Sequence, residues 1–417
     1  MIFLVSSDRF LLIKMNQYVN RTEELVYRIC KKSFFSLWSY ANPRGKQPGK
    51  ELCDILVIFD HDIIIFSVKE AKPTQSGDVS IDWSRWHRRV IEAASKQIYG
   101  AERWIRAAQN VIRKDGELGL PFPKGHQERI HRIVVALGSK GKVPIKFGDF
   151  GKGFVHVFDE MSFNIIMEEL DTISDFVAYL NDKENLYQSG IKTVLQGAEE
   201  DLLALYLHSG RKFPTEYDQI ILDDTLWTGH IKKEEYKAKK MADKDSYMWD
   251  RLIEILGEDT LQGHLEFGKS LTEAEIAIRT MAQENRFSRR VLGKSYQEFI
   301  ELSSQKKIRS RMKLSPSNVV YIFLSVPREE KRQSRVQELG LRCFVARGLN
   351  KDCKTVVGIA TEQYEPDKGF SLDLIYLYME SWTAEDQNRL QEIQKELGYF
   401  RNPIRTTVHE EEYPIDT

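Results

Sequence analysis

Two apolar runs near the start of this chain are separated by only a short polar segment. Residues 55–59 and 63–68 are rich in β-branched and aromatic side chains, which favour β-strands. The intervening Asp60-His61-Asp62 is typical of a turn, so the pattern predicts a tight hairpin. This hairpin constrains the region to form a small sheet in which the ends of the two strands meet.

Charged residues flank the hairpin at one end. Asp54 lies just before the first strand and Lys69 ends the second, so the two side chains share one edge of the sheet. Lys50, Glu51 and Glu70 add further charge there, more than solubility requires. A carboxylate beside a lysine at such an edge indicates metal-assisted phosphodiester chemistry.

These residues resemble the signature of the PD-(D/E)XK nuclease superfamily, in which an Asp precedes one strand and an acid-x-Lys motif ends the next. Asp54 and Lys69 match two of the signature positions. Glu23 matches the acid that many members carry on their first core helix. Gln97 matches a helical Gln of the RecB-like and Mrr-like branches, and the resemblance covers roughly residues 16–158.

One position departs from the superfamily pattern. The residue two before the lysine is an acid in the family, and in this chain it is Ser67. Strand periodicity puts Ser67 and Lys69 on one face and Glu70 on the other, so Glu70 cannot replace the acid without a bulge. Two interpretations stay open: an active site with a relocated acid, or a nuclease fold that no longer cuts.

The resemblance implies a Mg²⁺ or Mn²⁺ site built on Asp54, with a second acid drawn from Glu23, Glu24 or Glu51. Mg²⁺ binds carboxylate and carbonyl oxygens and keeps several waters, so few protein ligands suffice when a phosphate supplies the rest. Glu23 is favoured over Glu24 because it shares one helical stripe with apolar residues that follow it. Alternatively, both are first-turn acids stabilised by the helix dipole.

The resemblance also implies catalytic roles. Lys69 would orient or deprotonate the attacking water and offset charge in the transition state, a task that suits an ammonium group. The predicted catalytic set is Asp54, Lys69, Glu23, Ser67 and Gln97. Taken singly, an Asp before a strand is usually a turn residue and a Lys at a strand end is usually solvated.

A long basic helix is predicted to follow the hairpin, over residues 83–105. The stripe expected to be buried comprises Trp86, Val90, Ala93, Gln97, Gly100, Ala101 and Trp104. Cations of this helix and of the preceding loop form a predicted contact with the sugar-phosphate backbone, namely Arg44, Lys46, Lys50, Arg85, Arg88, Arg89 and Lys96. The alternative is a solvated helix face.

Four domains or segments are predicted along the chain. Residues 1–15 form a dispensable extension if Met15 is the natural start, and residues 16–160 form the nuclease-like domain, with further strands at 130–137 and 153–158. Residues 161–314 are mainly helical. Residues 315–417 form a small C-terminal domain for recognition or regulation, with strands at 319–326, 343–347, 355–361 and 372–379 and a helix at 384–397.

The predicted fold class is therefore α/β and α+β in several domains. A restriction-endonuclease-like mixed sheet flanked by helices is followed by a helical middle region and a small C-terminal α+β domain. Apolar and charged fractions of 41% and 29% are those of an ordinary globular protein. The net charge of −1 gives no global attraction to nucleic acid, so any affinity must come from local patches.

The function predicted from the sequence is a Mg²⁺-dependent endonuclease, with DNA favoured over RNA as substrate. A role in bacterial defence rests on analogy, and a partner protein or a homo-oligomer is expected to control activity. We expect a cytoplasmic protein without a membrane partner, since no signal peptide or membrane span is recognised. The alternative, supported by Ser67, is a catalytically inactive nuclease-fold protein that binds nucleic acid or acts as a scaffold or sensor.

Overall fold

A computed structural model describes residues 21–45, 50–125, 128–141, 144–263, 271–407 and 409–414. The predicted extension at residues 1–15 and the predicted phosphate contact Lys46 lie outside the described residues. The chain divides into two compact units. Within the described residues, the first unit spans 21–171 and 179–223, and the second spans 172–178 and 224–414. This division falls near residues 171 and 223, whereas the sequence prediction placed domain boundaries at 160 and 314.

The first unit is built around a mixed sheet. Its elements are α1 (Arg21–Trp38), β1 (Ser39–Ala41), β2 (Ile55–Phe59), β3 (Asp62–Glu70), α2 (Val79–His87), α3 (Ala93–Ala107), β4 (Asn110–Ile112), β5 (Leu118–Pro121), β6 (Arg129–Leu137), β7 (Gly148–Asp149), β8 (Phe154–Phe158), α4 (Glu160–Glu169), α5 (Ile173–Gln188), β9 (Lys192–Leu195), α6 (Glu199–His208) and β10 (Gln219–Leu222). The first residues of α5 belong to the second unit.

The predicted hairpin and the two further strands are confirmed. The sheet order is β1-β2-β3-β6-β8-β7, with β1, β2 and β3 antiparallel and with β6 parallel to both β3 and β8. A turn with Asp60 in the left-handed region (φ 54°) joins β2 to β3, a conformation that Asp tolerates. Because β3 and β6 are parallel, the chain must cross over between them, and α2 and α3 form that connection.

Both faces of β3 are covered by helices. Ile63 and Ile65 on one face belong to a core shared with α2 and α3. On the other face, the Phe66 ring lies 6.4 Å from that of Phe34 in α1 and 6.4 Å from that of Phe163 in α4. The middle of this strand is therefore sealed from water, and any chemistry must occur at its ends.

The second unit combines helices with a small sheet. Its elements are α7 (Leu226–His230), α8 (Glu234–Ala242), α9 (Tyr247–Leu261), α10 (Leu271–Ala282), α11 (Arg286–Ser304), β11 (Ser310–Leu314), β12 (Val320–Val326), α12 (Arg332–Leu349), β13 (Thr355–Glu362), β14 (Leu372–Tyr378) and α13 (Ala384–Leu397). The sheet order is β11-β12-β13-β14, with β12 and β13 parallel and the other pairs antiparallel.

One predicted strand is wrong. Residues 343–347 lie in α12, where Leu339, Cys343 and Ala346 face the core of the small sheet at helical spacing. A short apolar run cannot be assigned to helix or strand from its composition alone, and here the helix that precedes it simply continues. Residues 310–314, in the segment predicted to be mainly helical, form β11, which the sequence did not predict.

A buried ion cluster lies at the start of β3. The side chain of Asp62 is 7% exposed, Arg129 donates to both of its oxygens at 2.8 and 2.6 Å, and His131 Nε2 lies 2.8 Å from Oδ1. Burial raises the pKa of Asp62, but the hydrogen bonds from His131 and Arg129 outweigh it, so that the pKa lies below its ordinary value. This cluster joins the start of β3 to the start of β6, at the opposite end of the strands from Lys69.

We expect Asp62→Asn to lower the free energy of unfolding by about 1–3 kcal/mol at neutral pH, because the buried His131 and the more exposed Arg129 lose a charged hydrogen-bond partner. The contribution of Asp62 is complete above the ordinary Asp pKa of about 3.9 and is lost as the pH falls through the lower folded-state pKa. Urea unfolding at several pH values measures it. Asp60→Asn, in the half-exposed turn, is the control and should lose clearly less stability than Asp62→Asn. A deficit that persists undiminished into strong acid would contradict this account.

Candidate functional site

Asp54 is fixed at the edge of the sheet by the two strands beside it. Its backbone carbonyl accepts a hydrogen bond from Asn42 N–H at 2.9 Å, just beyond β1. Its carboxylate oxygen Oδ2 accepts a hydrogen bond from the backbone N–H of Val68, in β3, at 2.5 Å. With a side chain only 6% exposed, Asp54 has one orientation, and its carboxylate points along the end of the hairpin.

Ser67 and Gln97 complete a buried polar cluster with Asp54. The Ser67 hydroxyl lies 3.3 Å from Asp54 Oδ2 and 3.2 Å from Gln97 Oε1, and having one proton it donates to one of them at a time. The Gln97 amide donates to Asp54 Oδ1 at 3.4 Å. Ser67 is fully buried, so its side chain faces the cluster and not the solvent.

Lys69 lies at the open side of this cluster. Its Nζ is 3.9 Å from Asp54 Oδ2, and its side chain is 35% exposed. Alternation along β3 puts Ser67 and Lys69 on the same face, as predicted, and Glu70 on the other, where it accepts a hydrogen bond from Thr22 at 2.5 Å. The geometry thus brings Asp54, Ser67, Lys69 and Gln97 together and leaves Glu70 out.

The predicted buried stripe of the long helix is confirmed at Trp86, Val90 and Ala101 but is wrong at Ala93. Residues 88–92 form a π-helical turn, which inserts one residue and rotates everything that follows. As a result Ala94, Ile98 and Ile105 are buried, whereas Ala93 is exposed. Gln97 therefore lies at the margin of the core, where its amide reaches Asp54.

The three candidates for a second acid lie at different places in the first unit. Glu23 is buried in the first turn of α1, and Glu24 pairs with Arg28 at 2.5 Å. Glu51 is exposed. The pKa of the Cys53 thiol is raised mainly by burial, and further by the negative charges of Asp54 and Glu51, so Glu51 lies near this part of the site. Since Thr22 contacts Glu70, α1 begins at the same edge of the sheet as the cluster.

The donor set fits a hard divalent cation only in part. Asp54 Oδ1, the Ser67 hydroxyl and the Gln97 carbonyl are oxygen donors, the kind that Mg²⁺ prefers. In the part of the chain that the structure describes, no three His, Cys, Asp or Glu side chains are grouped as a metal site. A cation at Asp54 would therefore depend on water and on substrate phosphate for most of its ligands.

The predicted phosphate contacts fall into two places. On the long helix, Arg85, Arg88 and Lys96 are exposed, and Arg89 donates to the Lys72 carbonyl at 2.6 Å, beside the chain that leaves Lys69. In the loop before Asp54, the structure describes two of the predicted cations, Arg44 and Lys50, and both are exposed. Arg44 donates a hydrogen bond to the Lys114 carbonyl at 2.9 Å.

The Val68 amide is the part of the site that sequence reasoning missed, because a main-chain N–H and not a side chain holds the Asp54 carboxylate. The available signal was the sequence position of Asp54, since a residue just before a strand can reach across the end of the hairpin to its neighbour.

No protein-family profile matches this chain, and no curated protein matches it significantly. Among the described residues, no helix combines the length and the apolar character that spanning a bilayer requires.

We expect Asp54→Ala to destabilise the first unit by about 1–3 kcal/mol, because it leaves the buried Val68 N–H without an acceptor. Asp54→Asn should cost clearly less, because the amide carbonyl can still accept that hydrogen bond. Urea unfolding of both variants beside the wild type measures the difference. Equal losses for Ala and Asn would show that the Val68 hydrogen bond does not hold the carboxylate.

Proposed function

We propose that the first unit is a Mg²⁺-dependent nuclease domain that hydrolyses phosphodiester bonds in DNA. The observation that carries this proposal is the convergence of a buried carboxylate and a half-exposed ammonium at one strand edge, with Asp54 and Lys69 at 3.9 Å. The resemblance to the PD-(D/E)XK pattern supports it, because the hairpin aligns the two signature residues in the expected order. An effector role in bacterial defence stays an analogy.

In this proposal, Asp54 binds the cation, Lys69 orients the attacking water, and the other residues of the cluster hold the Asp54 carboxylate in place. Asp54 would hold the cation with Oδ1, while Val68 N–H keeps Oδ2 in place. A bound Mg²⁺ supplies charge neutralisation at the phosphate and lowers the pKa of a nearby water. Lys69 Nζ, open to solvent on one side, orients the attacking water by donating to it and offsets charge on the phosphoryl oxygens. Ser67 and Gln97 keep the Asp54 carboxylate from rotating.

The surroundings of the cluster support a duplex more than a single strand. Exposed Arg85, Arg88 and Lys96 suit the phosphates of a backbone without reading its sequence. Recognition of single-stranded RNA calls for exposed aromatic rings. Trp86 is 1% exposed, and Trp83 is partly buried with its indole N–H donated to the Pro144 carbonyl at 2.9 Å.

Cleavage of supercoiled DNA, linear DNA and RNA with Mg²⁺ or Mn²⁺ tests the proposal. We expect Asp54→Asn and Lys69→Ala each to lower the cleavage rate by about a hundredfold or more, because each removes charge that acts on the reacting phosphate. Both substitutions keep the Val68 amide in contact with an acceptor.

Two matched controls separate catalysis from folding. Lys152→Ala removes an exposed lysine just before β8, at the opposite edge of the sheet, and Asp62→Asn removes a different buried carboxylate of β3. Both should cut DNA at close to the wild-type rate once the folded fraction is matched. Equal losses in the controls, or wild-type rates in Asp54→Asn, would contradict the proposed active site.

A second candidate function is a nuclease-fold protein that binds nucleic acid without cutting it. The specific observation in its favour is Ser67, which is fully buried at the position of the family's acid and leaves a single carboxylate in the cluster. Wild-type protein that binds DNA but does not cut it with any metal would favour this candidate.

Restoring the acid with Ser67→Asp tests the part that Ser67 plays. A second carboxylate beside Asp54 should destabilise the metal-free protein, because two buried like charges repel. Mn²⁺ should reverse that loss and bind at least about tenfold more tightly than to the wild type. Thermal unfolding with and without Mn²⁺ measures both effects, with the neutral Ser67→Asn as control. Identical Mn²⁺ shifts in the Asp and Asn variants would exclude this position as a ligand site.

A further inference from the structure

A basic cavity of about 400 Å³ opens on the second unit, and the proposed nuclease site has no part in it. The cavity is formed by the loop that follows α11, by the end of β12 with the loop after it, and by the segment after β13. Its lining residues are Ser304, Lys306, Lys307, Ile308, Arg309, Ser325, Pro327, Arg328, Glu329, Gln363, Tyr364 and Glu365.

The cavity lies at the carboxyl ends of the two parallel strands of the small sheet. Val326 at the end of β12 pairs with Glu362 at the end of β13, and Gln363 N–H donates to the Val326 carbonyl at 2.7 Å. The crossover between these strands is α12. In α/β sheets this is the edge at which ligands bind, because the loops there leave a crevice between the strand ends.

Cations outnumber acids in the lining by four to two. Arg309 is committed to the protein, with Nη2 at 2.9 Å from Glu330 and 2.5 Å from Glu338. Lys306 and Lys307 are exposed, and among the described residues neither forms an ion pair with an acid. Two adjacent ammonium groups thus face the cavity with their charge uncompensated.

Two buried polar atoms at this edge have no hydrogen-bond partner among the described residues. Ser325 is 1% exposed, lines the cavity and has an unpartnered hydroxyl. Arg328 Nε is likewise buried and makes no hydrogen bond, although the Glu365 carboxylate lies 3.4 Å away. Burying the Ser325 hydroxyl without a partner is unfavourable, and a ligand with an acceptor oxygen would satisfy it.

We propose that this cavity binds a small phosphate-bearing ligand. Lys306 and Lys307 pair with the phosphate oxygens, and the Ser325 hydroxyl donates to one of them at the floor of the cavity. Phosphate matches this chemistry because it offers several acceptor oxygens and two negative charges to charge-assisted donors. The cavity is of the size that encloses a small molecule and not a duplex. The proposal stands whether or not the first unit cuts DNA.

Isothermal titration of the full chain with inorganic phosphate and with ATP, at constant ionic strength, tests the proposal. We expect saturable binding of at least one of them. The double variant Lys306→Ala with Lys307→Ala should weaken it by about tenfold or more, and Ser325→Ala by several-fold. If only ATP binds, the natural ligand is a phosphate ester that also contacts the protein through the rest of the molecule. If phosphate and ATP bind with equal affinity, the cavity recognises the phosphate group alone.

The control is Lys351→Ala, an exposed lysine before β13 at the opposite edge of the same sheet, which should leave both affinities unchanged. Thermal unfolding of each variant without ligand should match that of the wild type, since the lysines are exposed and the Ser325 hydroxyl has no hydrogen-bond partner among the described residues. Wild-type protein that binds neither probe would overturn the proposal. An unchanged affinity of the double lysine variant for phosphate and ATP would also overturn it. A short DNA duplex serves as a third probe, and a result in which only the duplex binds at these lysines would overturn it as well.

Discussion

One hydrogen bond, from the backbone N–H of Val68 to the carboxylate of Asp54, fixes the geometry on which the candidate site depends. Asp54 stands outside the ladder of β2, so nothing in the regular strand pairing would orient its side chain. The Val68 amide lies at the end of the adjacent strand and supplies that orientation at 2.5 Å. Because Val68 lies between Ser67 and Lys69 in β3, this strand positions both the Asp54 carboxylate and the two side chains next to it.

In the proposed mechanism, the charge balance of the cluster makes the identity of residue 67 decisive for its chemistry. With Ser67, the cluster holds one carboxylate and one ammonium, Asp54 and Lys69, whose charges oppose each other at 3.9 Å. Such a site attracts a divalent cation weakly by itself, and an anionic substrate must complete it. With an acid at that position the cluster would hold a net negative charge and would bind the cation before the substrate. Ser67 thus makes metal binding and substrate binding one coupled event in our account.

The sequence predicted those parts of the site that depend on the alternation of side chains along a strand and on the order of residues in the hairpin. The hairpin, the shared face of Ser67 and Lys69, and the position of Asp54 follow from strand alternation, which a buried strand obeys strictly. What it could not predict was the π-turn at residues 88–92, because one inserted residue leaves no clear mark in the apolar pattern and still rotates the helix. The misassigned segment 343–347 failed differently, since a short apolar run suits either element and tertiary packing decides.

The central claim is that Asp54 anchors a catalytic cation whose remaining ligands come largely from the substrate. Anomalous diffraction from crystals of the protein grown with Mn²⁺ and a short DNA duplex tests it most directly. The account predicts an anomalous peak about 2.0–2.6 Å from Asp54 Oδ1, in contact with a phosphate oxygen and absent from Asp54→Asn crystals. Bound DNA with no Mn²⁺ peak at Asp54, or with a peak at some other group of acids, would contradict it.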